Sequence, residues 1–284
     1  MSQKPAILTP DPWQQLQGLT RARVALGRAG VSLPTREVLR FGTAHAQARD
    51  AVHTALDVDL LAGELQADGF RPLAVQSQAA DRATYLRRPD YGRRLAPACA
   101  GELAENGKNL WPAWPRLAIV VADGLSSLAT SSHTRAFLAA LRAHIPDLTE
   151  QPLVIATQAR VALGDEIGHL LGAEQVVVLI GERPGLSSPD SLGLYLTAGP
   201  RPGLNDAQRN CISNVRPEGL PYAEAARKLA FLIDGARRLG RTSVDLKDDS
   251  DAPALAPEET GARLAAPETT HPFPPTLNLL ELPA

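Results

Sequence analysis

The stretch with the most chemistry in it is Gly181-Glu-Arg-Pro-Gly-Leu-Ser-Ser-Pro-Asp-Ser. Its glycines permit tight backbone turns around the charged pair Glu182 and Arg183. Its Ser and Asp side chains and free backbone N–H groups suit a large polar ligand. It directly follows Gln175-Val-Val-Val-Leu-Ile, an apolar run of strand length, so it belongs at an edge of a sheet. A solvated surface turn is the plain alternative. Cys211-Ile-Ser-Asn, with Arg209 just before it, reads as a neighbouring strand end. A buried, inert Cys is the default there, because no base accompanies the thiol. Asp123 ends a third apolar run beside Gly124, Ser126 and Ser127, where a functional carboxylate and an Asp-Gly turn fit about equally.

Several known catalytic patterns are missing. The chain has no Gly-x-Gly-x-x-Gly after a strand, no Walker lysine loop, no Gly-x-Ser-x-Gly and no His-Glu-x-x-His. Its six histidines are scattered. His45 falls between Phe41 and Ala48 on an apolar helix side and reads as a packed core residue. His133 reads as opening a helix, in a capping or surface role. Cys99 and Cys211 belong to no Cys-x-x-Cys or Cys/His cluster, which argues against a disulfide scaffold or a structural zinc. No run approaches the ~20 apolar residues of a membrane span. Residues 1–10 lack a secretory layout, so a soluble, cytoplasmic, globular protein is expected.

These residues need elements to position them. From Leu117 the chain alternates strand and helix patterns. Strands are expected at 117–122, 153–157 and 175–180, with weaker ones at 192–197 and 211–215. Helices are expected at 133–143, 163–171 and 221–239, the last with Gly240 just past its end. That order predicts a doubly wound, mostly parallel, Rossmann-like α/β sheet whose ligands sit beyond the carboxyl ends of the strands. Upstream the pattern is helical. Trp13, Leu16, Leu19, Ala22 and Leu26 recur at helical spacing, Val38, Phe41, Ala48 and Val52 share a face, and a third helix fits about 89–105. The expected domains are a helical N-terminal arm over 1–110, the α/β domain over 111–247, and a tail over 248–284. The tail carries seven acidic residues against one Arg, with seven prolines, and is expected to be disordered. Residues 1–247 are at +4, far short of a nucleic-acid footprint.

Residue logic alone leaves the function open. Six motifs in register narrow it. Thr20-Arg-Ala-Arg-Val-Ala-Leu-Gly-Arg-Ala-Gly opens the series, then Leu39-Arg-Phe with Ala44-His-Ala-Gln-Ala-Arg-Asp. Tyr85-Leu-Arg-Arg-Pro-Asp-Tyr-Gly-Arg-Arg-Leu, Val121-Ala-Asp-Gly-Leu-Ser, Gly181-Glu-Arg-Pro-Gly-Leu and Cys211-Ile-Ser-Asn follow in order. Together, from about 15 to 240, they resemble the small (light) subunit of ethanolamine ammonia-lyase.

The resemblance implies one chain of an adenosylcobalamin-dependent lyase that converts ethanolamine to acetaldehyde and ammonia. It implies a hetero-oligomer in which the cofactor lies against this subunit while a large subunit binds ethanolamine. It carries three cobalamin contacts onto this sequence: Val161 after Arg160, Glu182, and Cys211. It assigns no catalytic residue and no metal ligand to this chain. No Asp-x-His occurs here, in keeping with base-on cobalamin. The family's location is cytoplasmic, in some members inside a bacterial microcompartment; the acidic tail lies outside the resemblance. Two rival readings are a nucleotide-dependent enzyme on a Rossmann-like sheet, which lacks its phosphate loop, and a non-catalytic assembly module of a heteromeric complex.

Overall fold

The computed structural model describes residues 8–111 and 116–250, with the backbone alone for residues 106 and 108–110. The tail, apart from residues 248–250, lies outside the described residues, as do Pro112–Pro115.

Six strands form one sheet: β1 (Pro72–Gln76), β2 (Leu117–Ala122), β3 (Leu153–Thr157), β4 (Gln175–Gly181), β5 (Leu192–Ala198) and β6 (Asn210–Val215). Their spatial order is β1-β3-β2-β4-β5-β6. Every residue of β2 and β4 is buried, which is why these strands read as unbroken apolar runs. Period two splits them between the faces. Leu117, Ile119 and Val121 face one core, and Ala118, Val120 and Ala122 the other.

The first face packs on α2 (Val58–Ala67), α5 (Ser127–Arg142) and α7 (Tyr222–Leu239). The second packs on α4 (Pro97–Leu110) and α6 (Leu163–Leu170) through Leu103, Leu163 and Ile167. The helices that follow β2 and β3 therefore lie on opposite sides of the sheet. α7 follows its pattern closely: Ala225, Leu229, Leu232, Ile233 and Ala236 are buried, and Gly240 caps it at φ +73°.

β1, β3, β2 and β4 are mutually parallel. β5 and β6 are paired antiparallel to their neighbours. The reason is in the connections: α5 and α6 provide crossovers, whereas 182–191 and 199–209 hold no α-helix and can only turn back.

The N-terminal stretch departs from expectation. β1 comes from residues read as helical and pairs with β3 along five residues, so the first 110 residues contribute to the sheet itself. Residues 13–26 form only a short 3₁₀ turn, Gln14–Gly18. Ala25 sits at φ +54°, and the Gln17 side chain donates to the carbonyls of Val24 and Ala25. That apolar stripe finds no surface of this chain to cover: Trp13 is 67% and Leu19 85% exposed. In α1 (Thr35–His53) the buried face is Glu37, Ala44 and Ala51, while Val38 and Phe41 point outward. His45 is exposed rather than packed in a core, and it stacks on Phe41 at 6.2 Å. Among the described residues no helix is long and apolar enough to cross a membrane.

Candidate functional site

Two places at the carboxyl ends of the strands gather polar groups. At the first, Asp123 is buried and accepts the N–H groups of Gln158 at 2.8 Å and Ala159 at 3.0 Å, with Arg82 3.5 Å away. Burial pushes its carboxyl upward, against those N–H groups and the guanidinium. Both oxygens are thus engaged in tying β2 to β3, which makes Asp123 a brace. Beside it the Tyr85 ring lies between two guanidiniums, Arg82 at 4.7 Å and Arg160 at 4.5 Å, and its hydroxyl donates to the Ala159 carbonyl. This clamp fixes the turn from β3 into α6. Val161 follows Arg160 in that turn, half-buried against the second core.

The second place is a shelf on β4, β5 and β6. α5 and α7 pack on β5 and β6 from the first face, while α6 reaches the second face at Thr197 through Arg209. On this second face Tyr195 is half-buried, and Cys211 and Ser213 are exposed. Glu182 leaves the end of β4 on this side. Its Oε2 accepts the Asn214 N–H at 3.2 Å, and its Oε1 lies over Gly193. The pairing of β5 with β6 shifts between Leu192 and Leu194, and Asn214 sits in the resulting bulge at φ +58°. Asn tolerates that conformation better than most side chains. The bulge presents the Asn214 N–H to Glu182, as bulges commonly re-aim a group.

Cys211 is paired with Tyr195, which is paired with Val178 in the middle of β4. The thiol therefore stands on the face of the sheet rather than at a carboxyl end, because Cys211 is the second residue of β6. It is also exposed, contrary to the buried default. It stands directly across the strand pair from Tyr195. Burial pushes the thiol above its ordinary 9.0, with the Glu182 charge adding to the rise. Burial likewise raises the Tyr195 hydroxyl, which stays a neutral donor.

The loop from Glu182 to Ser191 is held from behind. Arg216 donates to Asp190 at 3.0 Å and to the Ser187 carbonyl at 3.4 Å, and Ser126 donates to the Pro189 carbonyl. His133, buried within α5 rather than opening a helix, meets the Tyr222 hydroxyl at 2.8 Å and Asp190 at 3.6 Å. Arg183 is exposed, so the charged pair expected at the loop's centre divides: Glu182 turns to the sheet and Arg183 to solvent. The return from β5 to β6 is anchored by Arg209, which makes a buried bidentate pair with Asp165 of α6 and donates to the Leu204 carbonyl.

The fold thus brings Glu182, Tyr195 and Cys211 together through Asn214 and Gly193. Val161 lies on the same face by its packing with the second core. Tyr195 and Gly193 escaped sequence reasoning, since nothing local marks them. Asn214 stood in view at the end of the Cys-Ile-Ser-Asn motif. The shelf offers a carboxylate acceptor, a thiol and an aromatic face, with no general base beside a nucleophile. Among the described residues no group of three or more His, Cys, Asp or Glu could hold a metal ion. Such a surface suits the rim of a large, amide-rich cofactor such as a corrin, which needs acceptors for its N–H groups and an apolar floor.

Comparison with known proteins adds an independent line. A family model described as the ethanolamine ammonia-lyase light chain (EutC) matches residues 10–247. Three curated relatives carry the name ethanolamine ammonia-lyase small subunit. That of Azotobacter vinelandii is 54% identical over 253 residues, covering 87% of this chain and 92% of its own. That of Ralstonia nicotianae is 51% identical over 261 residues, covering 91% and 95%. That of Xanthomonas campestris pv. campestris is 53% identical over 260 residues, covering 90% and 94%.

Proposed function

This chain belongs to the ethanolamine ammonia-lyase light-chain family, the small subunit of a heteromeric lyase; from that premise we propose that its work is to hold adenosylcobalamin, base-on, against a large subunit that binds ethanolamine. The products of that complex are acetaldehyde and ammonia. The observation that carries the reading is the shelf beside β4: a carboxylate pinned by one backbone N–H, next to a neutral thiol and phenol, on strands whose other face is covered by α5 and α7.

We read the sheet as doubly wound and Rossmann-like, since α5 and α6 lie on opposite faces. Glu182 and Val161 then stand at the ligand end of the parallel strands. Glu182 accepts a side-chain amide N–H with the oxygen that Asn214 leaves free. Val161 packs on the ligand and excludes water, and Cys211 adds a soft neutral contact. Adenosylcobalamin, when bound, supplies cobalt–carbon homolysis and radical hydrogen transfer, which no side chain here could perform. This chain's residues position the group and furnish no metal ligand. The reading places the complex in the cytoplasm, within a microcompartment in bacteria that build one. A purely assembling role is the rival, favoured by the exposed apolar residues of the N-terminal arm.

The test is acetaldehyde formation from ethanolamine and adenosylcobalamin by the cognate large subunit, with and without this chain. Activity is expected only with both. Full activity from the large subunit alone would overturn the proposal in favour of assembly. Glu182→Ala removes a hydrogen bond to a charged group worth about 1.5–3 kcal/mol. Cofactor retention, measured by visible absorbance after gel filtration, is expected to fall at least tenfold with an unchanged melting temperature.

A further inference from the structure

Gly193 is an unusual residue for a buried strand. Glycine weakens a strand interior, and its backbone here is not in the left-handed region that would call for it. What requires it is space. A Cβ at this position would stand 3.0 Å from Glu182 Oε1, 3.1 Å from Glu182 Cγ and 3.2 Å from Tyr195 Cε2. Gly193 is in register with Ile180, two residues before Glu182. The Glu182 side chain therefore folds back over β5 and lies in the groove that the missing side chain leaves, alongside the Tyr195 ring. The Asn214 N–H holds Oε2 from the β6 side. Tyr195 in turn stands directly across the β5–β6 pair from Cys211.

We propose that Gly193 and Tyr195 are positioning residues of the cofactor shelf: Gly193 provides the groove that seats the Glu182 carboxylate, and the Tyr195 ring walls that groove and continues the surface to Cys211, so that the shelf accepts a neutral primary amide. The inference rests on the reading of Glu182 as a cofactor contact. It predicts a specificity for primary amides. A carboxylate on the ligand in place of the amide would meet the Glu182 charge and be rejected.

The experiment uses the complex with the large subunit and measures adenosylcobalamin affinity in the dark by equilibrium dialysis. Gly193→Ala is expected to weaken binding tenfold or more, to leave kcat at saturating cofactor within about twofold, and to leave the melting temperature unchanged or higher, since Ala suits a strand better than Gly. In the double variant with Glu182→Ala, the Gly193→Ala loss is expected to vanish, as for two residues acting through one contact. Tyr195→Leu, which removes the ring beside Gly193 and Glu182, is expected to weaken binding several-fold and serves equally if Gly193→Ala fails to fold. Wild-type affinity in both Gly193→Ala and Tyr195→Leu, with Glu182→Ala impaired, would overturn the inference and spare the reading of Glu182. Additive losses in the double variant would also overturn it. Wild-type affinity in Glu182→Ala would remove the reading and the inference together.

Discussion

A cysteine exposed on an edge strand invites a nucleophilic role, and the surroundings of Cys211 argue the reverse. Burial of the sulfur and the nearby Glu182 charge both disfavour the thiolate, and the Tyr195 hydroxyl offsets only part of that. With the thiol held above its ordinary 9.0, the thiolate fraction at neutral pH falls below that of free cysteine. In a Cys99→Ser background, alkylation of Cys211 by iodoacetamide at pH 7.5 is expected to be slower than that of free cysteine, with a rate still climbing beyond pH 9. A rate that levels off below pH 8 would contradict this. The linkage has a definite sign: the group is neutral to stability below its unfolded value, and the fold loses stability as pH rises through the folded one. Glu182 was legible in the sequence because it directly follows a strand that composition makes unmistakable. Tyr195 was not, because its significance comes from partners one strand away on each side.

At the scale of elements, two contacts decide how the shelf is carried. Arg209 and Asp165 are both buried, so removing one leaves an uncompensated charge; Arg209→Met is expected to cost about 3–5 kcal/mol in urea unfolding. The double variant Asp165→Asn/Arg209→Met should recover part of that loss. Glycines in helices give a sharper contrast. A Cβ at Gly164 of α6 would stand 2.3 Å from Val178 Cγ2, while at Gly101 of α4 it would meet nothing within 4 Å. Helix propensity favours Ala over Gly by about 1 kcal/mol at both. At Gly164 overpacking against the buried β4 costs about 1–3 kcal/mol and wins. Gly164→Ala is therefore expected to lower the melting temperature and Gly101→Ala to raise it. α7 was readable from its stripe and caps. The apolar repeat at 13–26 was equally regular and formed no helix, because a stripe becomes a helix only where it has something to cover.

The described residues form one compact unit, to which the N-terminal stretch is joined by β1 in the sheet and by α2 and α4 on its two faces. Trp111 follows α4, buried at 8% exposure, and reports on this first part. In a Trp13→Phe/Trp114→Phe background, its fluorescence is expected to change at the same urea concentration as far-UV circular dichroism. A separate earlier transition would show that the N-terminal stretch unfolds independently. β1 passed unnoticed in the sequence because an edge strand of five residues, only one of them a buried apolar side chain, carries no continuous apolar run.

What the sequence determined by itself were the elements buried on both faces. β2, β3 and β4 carry continuous apolar runs between their ends, and α7 carries one stripe, so local composition suffices to find them. The same reasoning placed Glu182 just after a strand; the resemblance carried by six motifs pointed to Val161 and to the family. Only the tertiary structure decided that β5 pairs antiparallel with both β4 and β6, that Cys211 stands opposite Tyr195 on the face of the sheet, and that a bulge at Asn214 reaches Glu182. It alone decided which face of those strands α5 and α7 cover. Register between strands and the choice of covered face depend on contacts between residues far apart in the chain, and no local periodicity encodes them.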